Sequence, residues 1–289
     1  MIISSKKFFN SDINYQKYHT EEIVILKKTI IDIIKKSKKF IWIRLGSFNL
    51  KNLNTDIDLF SQLLFYIKKP IKLVTADGDR SVFKDIKKNT KSRILKSKKI
   101  IKWYTQNYDG SIRSSKIKPY PIGLDLHTKR GYGLKTYNQI LNFFKKKRNF
   151  TKYKKFKIFC DVHLKQYDKF GNPRKDVFCK LKNSSYVYFL KKRTTFKRIV
   201  KFYSNYTFVI STHGNGLDCH RTWEALYLGA IVITKTSTLN ILYKNLPVII
   251  VDKWDRLLDI NFLRKEYNRL KPLLRKKYID KCFDQKYWL

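Results

Sequence analysis

One stretch of the chain, Ser211-Thr212-His213-Gly214-Asn215-Gly216-Leu217-Asp218-Cys219-His220-Arg221-Thr222-Trp223-Glu224-Ala225-Leu226-Tyr227-Leu228-Gly229, collects residue types that bind phosphate. The protein has only 10 glycines, and two of them, Gly214 and Gly216, share this short loop between a predicted strand and a predicted helix. A strand that turns through glycine into a helix presents unpaired backbone N–H groups and the positive end of the helix dipole, which together attract an anion. Asp218 suits the N-cap, and Gly229 suits the left-handed residue that ends a helix. Helical spacing puts Cys219, Trp223 and Leu226 on one face, fit to pack on a sheet, and Arg221 and Glu224 on the other. Arg221 can fork onto a diphosphate, and Glu224 can accept from two ribose hydroxyls. The plainer reading is a turn followed by a surface ion pair worth about 0.3–0.5 kcal/mol. The glycine spacing is neither G-x-G-x-x-G nor a P-loop.

A second group of residues has the chemistry of proton transfer. Asp77 and Asp79 follow the predicted strand Ile71–Val74, and Asp125 and His127 end an extended segment, Ile117–Leu126. A carboxylate or imidazole at such a place can act as a general base toward a hydroxyl, although Asp at strand ends also caps turns. Gln106 and Asn107, after the strand containing Trp103, are plausible hydroxyl binders. Asp77-Gly78-Asp79 matches Asp-x-Asp as a string, but its place far in sequence from the glycine loop favours a structural or hydroxyl-side role over metal ligation. The cysteines Cys160, Cys179, Cys219 and Cys282 form no C-x-x-C pair, and their apolar neighbours favour buried, reduced thiols.

The elements that must position these groups alternate. Helical spacing from Thr20 through Ile34, over Asp56–Ile67, Ile86–Leu95 and Gly131–Phe144 separates strands at Phe40–Leu45, Ile71–Val74 and Ile100–Tyr104. After the basic run Lys145–Arg148 the alternation resumes: strands near Phe156–Asp161, Tyr186–Leu190, Thr207–Ser211, Ala230–Thr234 and Val248–Val251, with helices between them. Leu257–Trp288 reads as one amphipathic helical stretch. Strands alternating with helices of this length predict parallel sheets, and the fold class expected is α/β with two Rossmann-like, doubly wound domains. The boundaries expected are 1–148, 149–272, and a final helix, 273–289, packing back toward the first domain.

The chain has 289 residues with a net charge of +42, from 64 Lys+Arg against 22 Asp+Glu. That balance invites a nucleic-acid reading, reinforced by 5 Trp, 19 Tyr and 20 Phe that could stack on bases. The lysines, however, are spread over both halves, the aromatics fall at core-facing positions, and no nucleic-acid-binding motif is present. Abundant Lys, Ile, Asn, Phe and Tyr also fit an A/T-rich coding bias. No apolar region follows Met1–Lys7, and no apolar run reaches the roughly 20 residues of a membrane span. The expectation is a cytoplasmic protein without a membrane span, of a viral factory or virion if an A/T-rich large DNA virus encodes it.

The core motif HGNGLDCHRTWEAL resembles the C-terminal domain of exostosin-like glycosyltransferases, which ends in a Gly-containing loop, an Arg, Glu-Ala-Leu and a Gly before a strand. It is most similar to viral and algal glycosyltransferase-like proteins. TADGDRSV (75–82), WYTQNYDG (103–110), PIGLDLHT (121–128), NPRKDVF (172–178) and AIVITKTSTLNILYKNLPVIIVDKW (230–254) carry that likeness from about Ile71 onward. The resemblance implies a GT-B fold, two Rossmann-like domains facing a cleft. It implies transfer of a sugar from a nucleotide-diphosphate sugar, UDP-linked by preference, to a glycan or protein hydroxyl without a metal or other cofactor. His213, Gly214, Asn215, Gly216, Asp218, Arg221 and Arg174 would hold the donor diphosphate and Glu224 its ribose. Thr236, Ser237 and Thr238 would line the same sheet end, and Asp79, Asp125, Asp77 or His127 would supply the base. A basic nucleic-acid-binding protein and an inactive glycosyltransferase fold that only binds are the alternatives.

Overall fold

The computed structural model describes residues 1–4, 23–37, 39–46, 55–129, 133–151, 153–165, 167–168, 171–172 and 174–289. Thr20, Gly131, Tyr132 and Pro173, which bound expected helices, lie outside the described residues. The chain divides into two compact units, one of Ser5–Ile122 with Trp288–Leu289, the other of Met1–Ser4 with Gly123–Tyr287.

The first unit contains α1 (Ile23–Lys36), β1 (Phe40–Gly46), α2 (Asp56–Gln62), β2 (Ile71–Gly78), α3 (Lys88–Lys96), β3 (Ile100–Thr105) and β4 (Ile117–Pro119). Its four strands pair in parallel in the order β1-β2-β3-β4. Leu73, Val74 and Ala76 of β2 are fully buried, the pattern of a central strand covered on both faces. The expected helix Asp56–Ile67 stops at Gln62 and continues only as a 3₁₀ turn, Leu64–Tyr66.

In the second unit are α4 (Tyr137–Lys147), β5 (Lys155–Cys160), α5 (Asp176–Leu181), β6 (Val187–Phe189), α6 (Phe196–Asn205), β7 (Tyr206–Ile210), α7 (His220–Tyr227) and β8 (Ile231–Lys235). There follow α8 (Asn240–Tyr243), β9 (Val248–Val251), α9 (Ile260–Leu270) and α10 (Lys276–Cys282). The sheet is again parallel, ordered β6-β5-β7-β8-β9. The expected continuous helix Leu257–Trp288 is broken, because Pro272 cannot donate to the helix ladder and a 3₁₀ turn, Lys271–Leu273, takes its place. The α/β class with two parallel, Rossmann-like sheets is thus what the structure has. No helix among the described residues is long and apolar enough to cross a membrane.

The division between units falls at Ile122/Gly123, upstream of the expected position 148, for a backbone reason. Gly123 (φ +70°) turns the chain so that Leu124 N–H donates to Ile3 O at 3.1 Å and Leu124 bridges Ser4 in parallel. Ile3 N–H in turn donates to Phe283 O at 2.9 Å. The expected 273–289 helix splits as well: α10 belongs to the second unit, and only Trp288–Leu289 belong to the first. There Tyr104 Oη donates to Leu289 O at 2.8 Å. All four cysteines are free; Cys160 and Cys282 are buried, but Cys179 is exposed, since its α5 neighbours Val177 and Leu181 take the inward face.

At the amino ends of β5 and β7, Lys154, Phe156, Thr207 and Tyr267 line a cavity of about 310 Å³. Lys154 Nζ donates to Gly229 O at 2.7 Å, and burial pushes its pKa down to about 7. Two outcomes follow for stability. Gly123→Ala brings a Cβ to 2.3 Å from Ile3 O at a left-handed φ, and should lower the unfolding free energy by at least about 1–3 kcal/mol in urea titrations. Lys154 is ordinarily protonated below 10.5 when unfolded but only below about 7 when folded. The unfolded chain therefore binds more protons between these values, and stability from this group rises with pH across that window. Urea midpoints of the parent should climb from pH 7 to pH 10 relative to those of Lys154→Met.

Candidate functional site

In an open parallel sheet, ligands bind at the carboxyl ends of the strands where the strand order reverses. In the second sheet that point lies between β5 and β7, since β6 returns to one side of β5 and β7, β8 and β9 extend the other. Asp161 leaves the end of β5, and Ser211 and Thr212 leave the end of β7. Ser211 N–H continues the ladder to Ile233 O at 2.8 Å, and its hydroxyl lies 2.8 Å from Thr222 Oγ1, tying the loop to α7.

Two arginines converge on this crevice. Arg221, in the first turn of α7, sets Nε 3.1 Å from Asp161 Oδ1 and donates through the same atom to Tyr203 Oη at 3.1 Å. Arg174, only 4% exposed, donates from Nε to Thr212 Oγ1 at 3.0 Å. Each guanidinium thus uses Nε on the protein, and the described residues engage none of the four terminal nitrogens. Arg174 has no carboxylate at ion-pair distance among the described residues. Burial first, and then the neighbouring Arg221 charge, push its pKa down. Burial also opposes the Arg221 charge, but Asp161 and then Tyr203 outweigh it and raise its pKa. The Tyr203 phenol is held protonated, its pKa pushed well up by burial and then by Asp161. Glu224 is buried, and its charge reaches Tyr203. A surface Arg221–Glu224 pair is therefore not what forms: Arg221 pairs with Asp161, a residue of another strand end.

The loop is self-supporting. His213 Nδ1 donates to Leu217 O at 2.8 Å, and Gly214 N–H donates to Gly216 O at 3.0 Å. A Cβ on Gly214 would stand 3.1 Å from Cys219 Sγ. Asn215 is exposed at the tip, whereas Gly216 is buried. Asp218 is not the N-cap. Cys219 occupies that position, and the buried Asp218 carboxylate instead accepts from Cys219 N–H at 3.0 Å and from the Trp223 indole at 2.8 Å. A fully buried Trp223 needs an acceptor for its N–H, and Asp218 is within reach. Thr236, Ser237 and Thr238 follow β8 in a turn closed by Asn240, which donates to Thr236 Oγ1 at 2.8 Å and accepts from Ser237 N–H at 2.9 Å.

The proton-transfer candidates separate. Asp77 and Asp79 belong to the first unit, where Asp77 adopts φ +60° and donates its N–H to Gln106 Oε1 at 3.1 Å. Gln106 and Asn107, expected to bind hydroxyls, are fully buried and donate to Gly78 O at 2.7 and 2.9 Å. They hold the Asp77–Asp79 turn from beneath. Asp125 and His127 belong to the second unit with Arg221. Asp125 Oδ1 accepts from Thr128 N–H at 2.9 Å and stands 3.2 Å from His127 Nδ1. The His127 ring centroid lies 5.9 Å from that of His220, the residue before Arg221.

Asp161, Tyr203 and His220 were not expected. Asp161 had a legible signal, a carboxylate directly after a parallel strand; Tyr203 and His220 had none beyond their residue type.

No family model matches the chain, and no curated relative matches it. Among solved structures, it is similar to one from E. coli described as trehalose-6-phosphate bound with UDP-2-fluoro glucose. Identity there is 8%, with 97% of this chain and 80% of that chain covered and a TM-score of 0.42. An α,α-trehalose-phosphate synthase (UDP-forming) from Burkholderia vietnamiensis matches at 9% identity over 95% and 77% of the two chains, with a TM-score of 0.43. Its Burkholderia xenovorans counterpart matches at 10% identity over 93% and 74%, with a TM-score of 0.41.

Asp161→Asn removes the carboxylate paired with Arg221 and leaves two guanidiniums together. It should cost about 1–3 kcal/mol of stability, less than a fully buried pair loses, because Arg221 keeps part of its surface in water. Inorganic phosphate should recover more stability in Asp161→Asn than in the parent, read from urea midpoints with and without the anion.

Proposed function

We propose that the protein is a glycosyltransferase acting on a nucleotide-diphosphate sugar. The observation that carries this reading is the pair of arginines at the reversal point of the second sheet, both with terminal nitrogens bonded to no described residue and one of them buried with no carboxylate at ion-pair distance among the described residues. A buried, unpaired guanidinium is costly unless an anion completes it. Two forks side by side match the spread charge of a diphosphate better than that of a single carboxylate. The loop His213–Gly216 and the α7 N-terminus add backbone dipole to the same end of the sheet. Asp218, Thr236 and Ser237 act in this reading by fixing the loop and its neighbouring turn, and Glu224 accepts from the ribose.

In the reaction, the acceptor oxygen forms a bond to the anomeric carbon as the bond from that carbon to the diphosphate breaks. The proton of the acceptor hydroxyl passes to a base, and the nucleoside diphosphate leaves with its added charge compensated by Arg174 and Arg221. His127, with Asp125 beside its Nδ1, is the base we favour, because it shares a unit with the arginines and Asp125 favours the proton on Nδ1, making Nε2 the basic atom. A UDP-sugar as donor and a glycan or protein hydroxyl as acceptor follow from the exostosin resemblance of the loop, as does transfer without a metal at the diphosphate.

Calorimetric titration of UDP at about 150 mM salt tests the donor site. Arg174→Ala and Glu224→Ala should each weaken UDP at least about tenfold, or roughly 1.4 kcal/mol. Binding that fades with salt and ignores both substitutions would overturn the reading in favour of general polyanion attraction. His127→Ala should retain UDP affinity and lose transfer from whichever sugar of a UDP-sugar panel the parent uses.

A further inference from the structure

Asp125, His127 and His220 bring one carboxylate oxygen and two imidazole nitrogens together, with one donor atom of each within 4.8 Å of the others. Asp125 and His127 lie two apart in a turn that the Asp125 carboxylate closes. The Asp125 carboxylate is buried and oriented by Thr128 N–H at 2.9 Å and His127 N–H at 3.3 Å. Its 3.2 Å separation from His127 Nδ1 is close to the edge of about 3.3 Å that two donors 2.0 Å from a tetrahedral zinc ion subtend.

His220 supplies the third donor in a fixed tautomer. Its Nδ1 lies 2.8 Å from Gly123 O. A carbonyl oxygen can only accept, so Nδ1 carries the hydrogen and the neutral ring offers its lone pair at Nε2. A backbone carbonyl fixing the far nitrogen of an imidazole is the usual outer support of a metal-binding histidine. That support has its own anchor, because Gly123 sits where a Cβ would be 2.3 Å from Ile3 O, and the strap of Met1–Ser4 holds its peptide. The His127 side chain is 28% exposed, which leaves the cluster open to an entering ion.

We infer that Asp125, His127 and His220 bind a divalent transition-metal ion of the zinc type, with a fourth position for water or another oxygen ligand. Two imidazoles and one carboxylate suit zinc, whereas magnesium and calcium prefer all-oxygen sites. Binding does not depend on the glycosyltransferase reading. The consequence for activity does: an ion held at His127 Nδ1 displaces the hydrogen from that atom, the neutral ring then carries its hydrogen on Nε2, and Nε2 can no longer act as the base, so transfer falls as the site fills.

The full chain, stripped with chelator and titrated with zinc in a calorimeter, should take up one ion. His220→Ala and His127→Ala should each weaken it by about 10–100-fold. His127 is partly exposed, so His127→Ala tests the site even where His220→Ala fails to fold. Cobalt provides a second measurement, a visible spectrum of nitrogen and oxygen ligation without thiolate charge-transfer absorption. Undiminished zinc affinity in His127→Ala, a thiolate band from the cysteines, or no uptake by the parent would each overturn the inference. Zinc uptake without loss of transfer would leave the metal site standing and remove His127 as the base.

Discussion

Arg174 and Arg221 stand together at the end of one parallel sheet with Asp161 paired to only one of them. Several elements of the second unit hold these two guanidiniums in place. Asp161 comes from β5, Thr212 from β7, Tyr203 from α6 and Arg221 from α7, so the four elements flanking the reversal point each contribute one partner. Sequence neighbours could not do this, because the partners are brought together by strand order. Burial, which pushes the Arg174 pKa down, also strips its guanidinium of part of its water. A guanidinium already stripped of part of its water binds an anion more strongly than one on the surface, and a free surface lysine does not compete with it.

The loop between β7 and α7 meets this demand by being rigid without being large. Its internal hydrogen bonds run from the His213 ring to Leu217 O and from Gly214 N–H to Gly216 O. Asp218 accepts the Trp223 indole, and Trp223 packs by its edge on Phe283 of the segment after α10. Fixing α7 by a buried aromatic on one side and an ion pair on the other sets the direction in which Arg221 points.

The alternation, the parallel sheets and the glycine-bearing turn between β7 and α7 were legible in the sequence, because periodicity and glycine placement are local properties. Strand order was not legible, and the missed residues follow from that. Asp161 lies far from Arg221 in the chain, and only β5 and β7 being neighbours makes it the ion partner. Gln106 and Asn107 looked like hydroxyl binders because both are polar and end a strand. In the fold they point under the Gly78 carbonyl, where left-handed Asp77 leaves the peptide in need of donors. Asp218 was misplaced by one residue, since the helix begins at His220 and a buried indole outbids the cap for its carboxylate.

Asp125 and His127 owe their company with α7 to the chain's first four residues. Ile3 donates to Phe283 and accepts from Leu124, and Gln285 N–H donates to Met1 O at 2.8 Å. This strap fastens Gly123–Leu124 to the segment after α10, and Gly123 O then fixes the His220 ring. One peptide therefore couples three otherwise remote pieces of sequence: the strap, the Asp-x-His segment, and the histidine that precedes Arg221. A net charge of +42 cannot supply such an arrangement, since it acts on any polyanion and at any place on the surface. Arg174 is held by the Thr212 hydroxyl, Arg221 by Asp161 and the Tyr203 phenol, His127 beside Asp125, and His220 by the Gly123 carbonyl, so each of these positive or titratable groups has a fixed place.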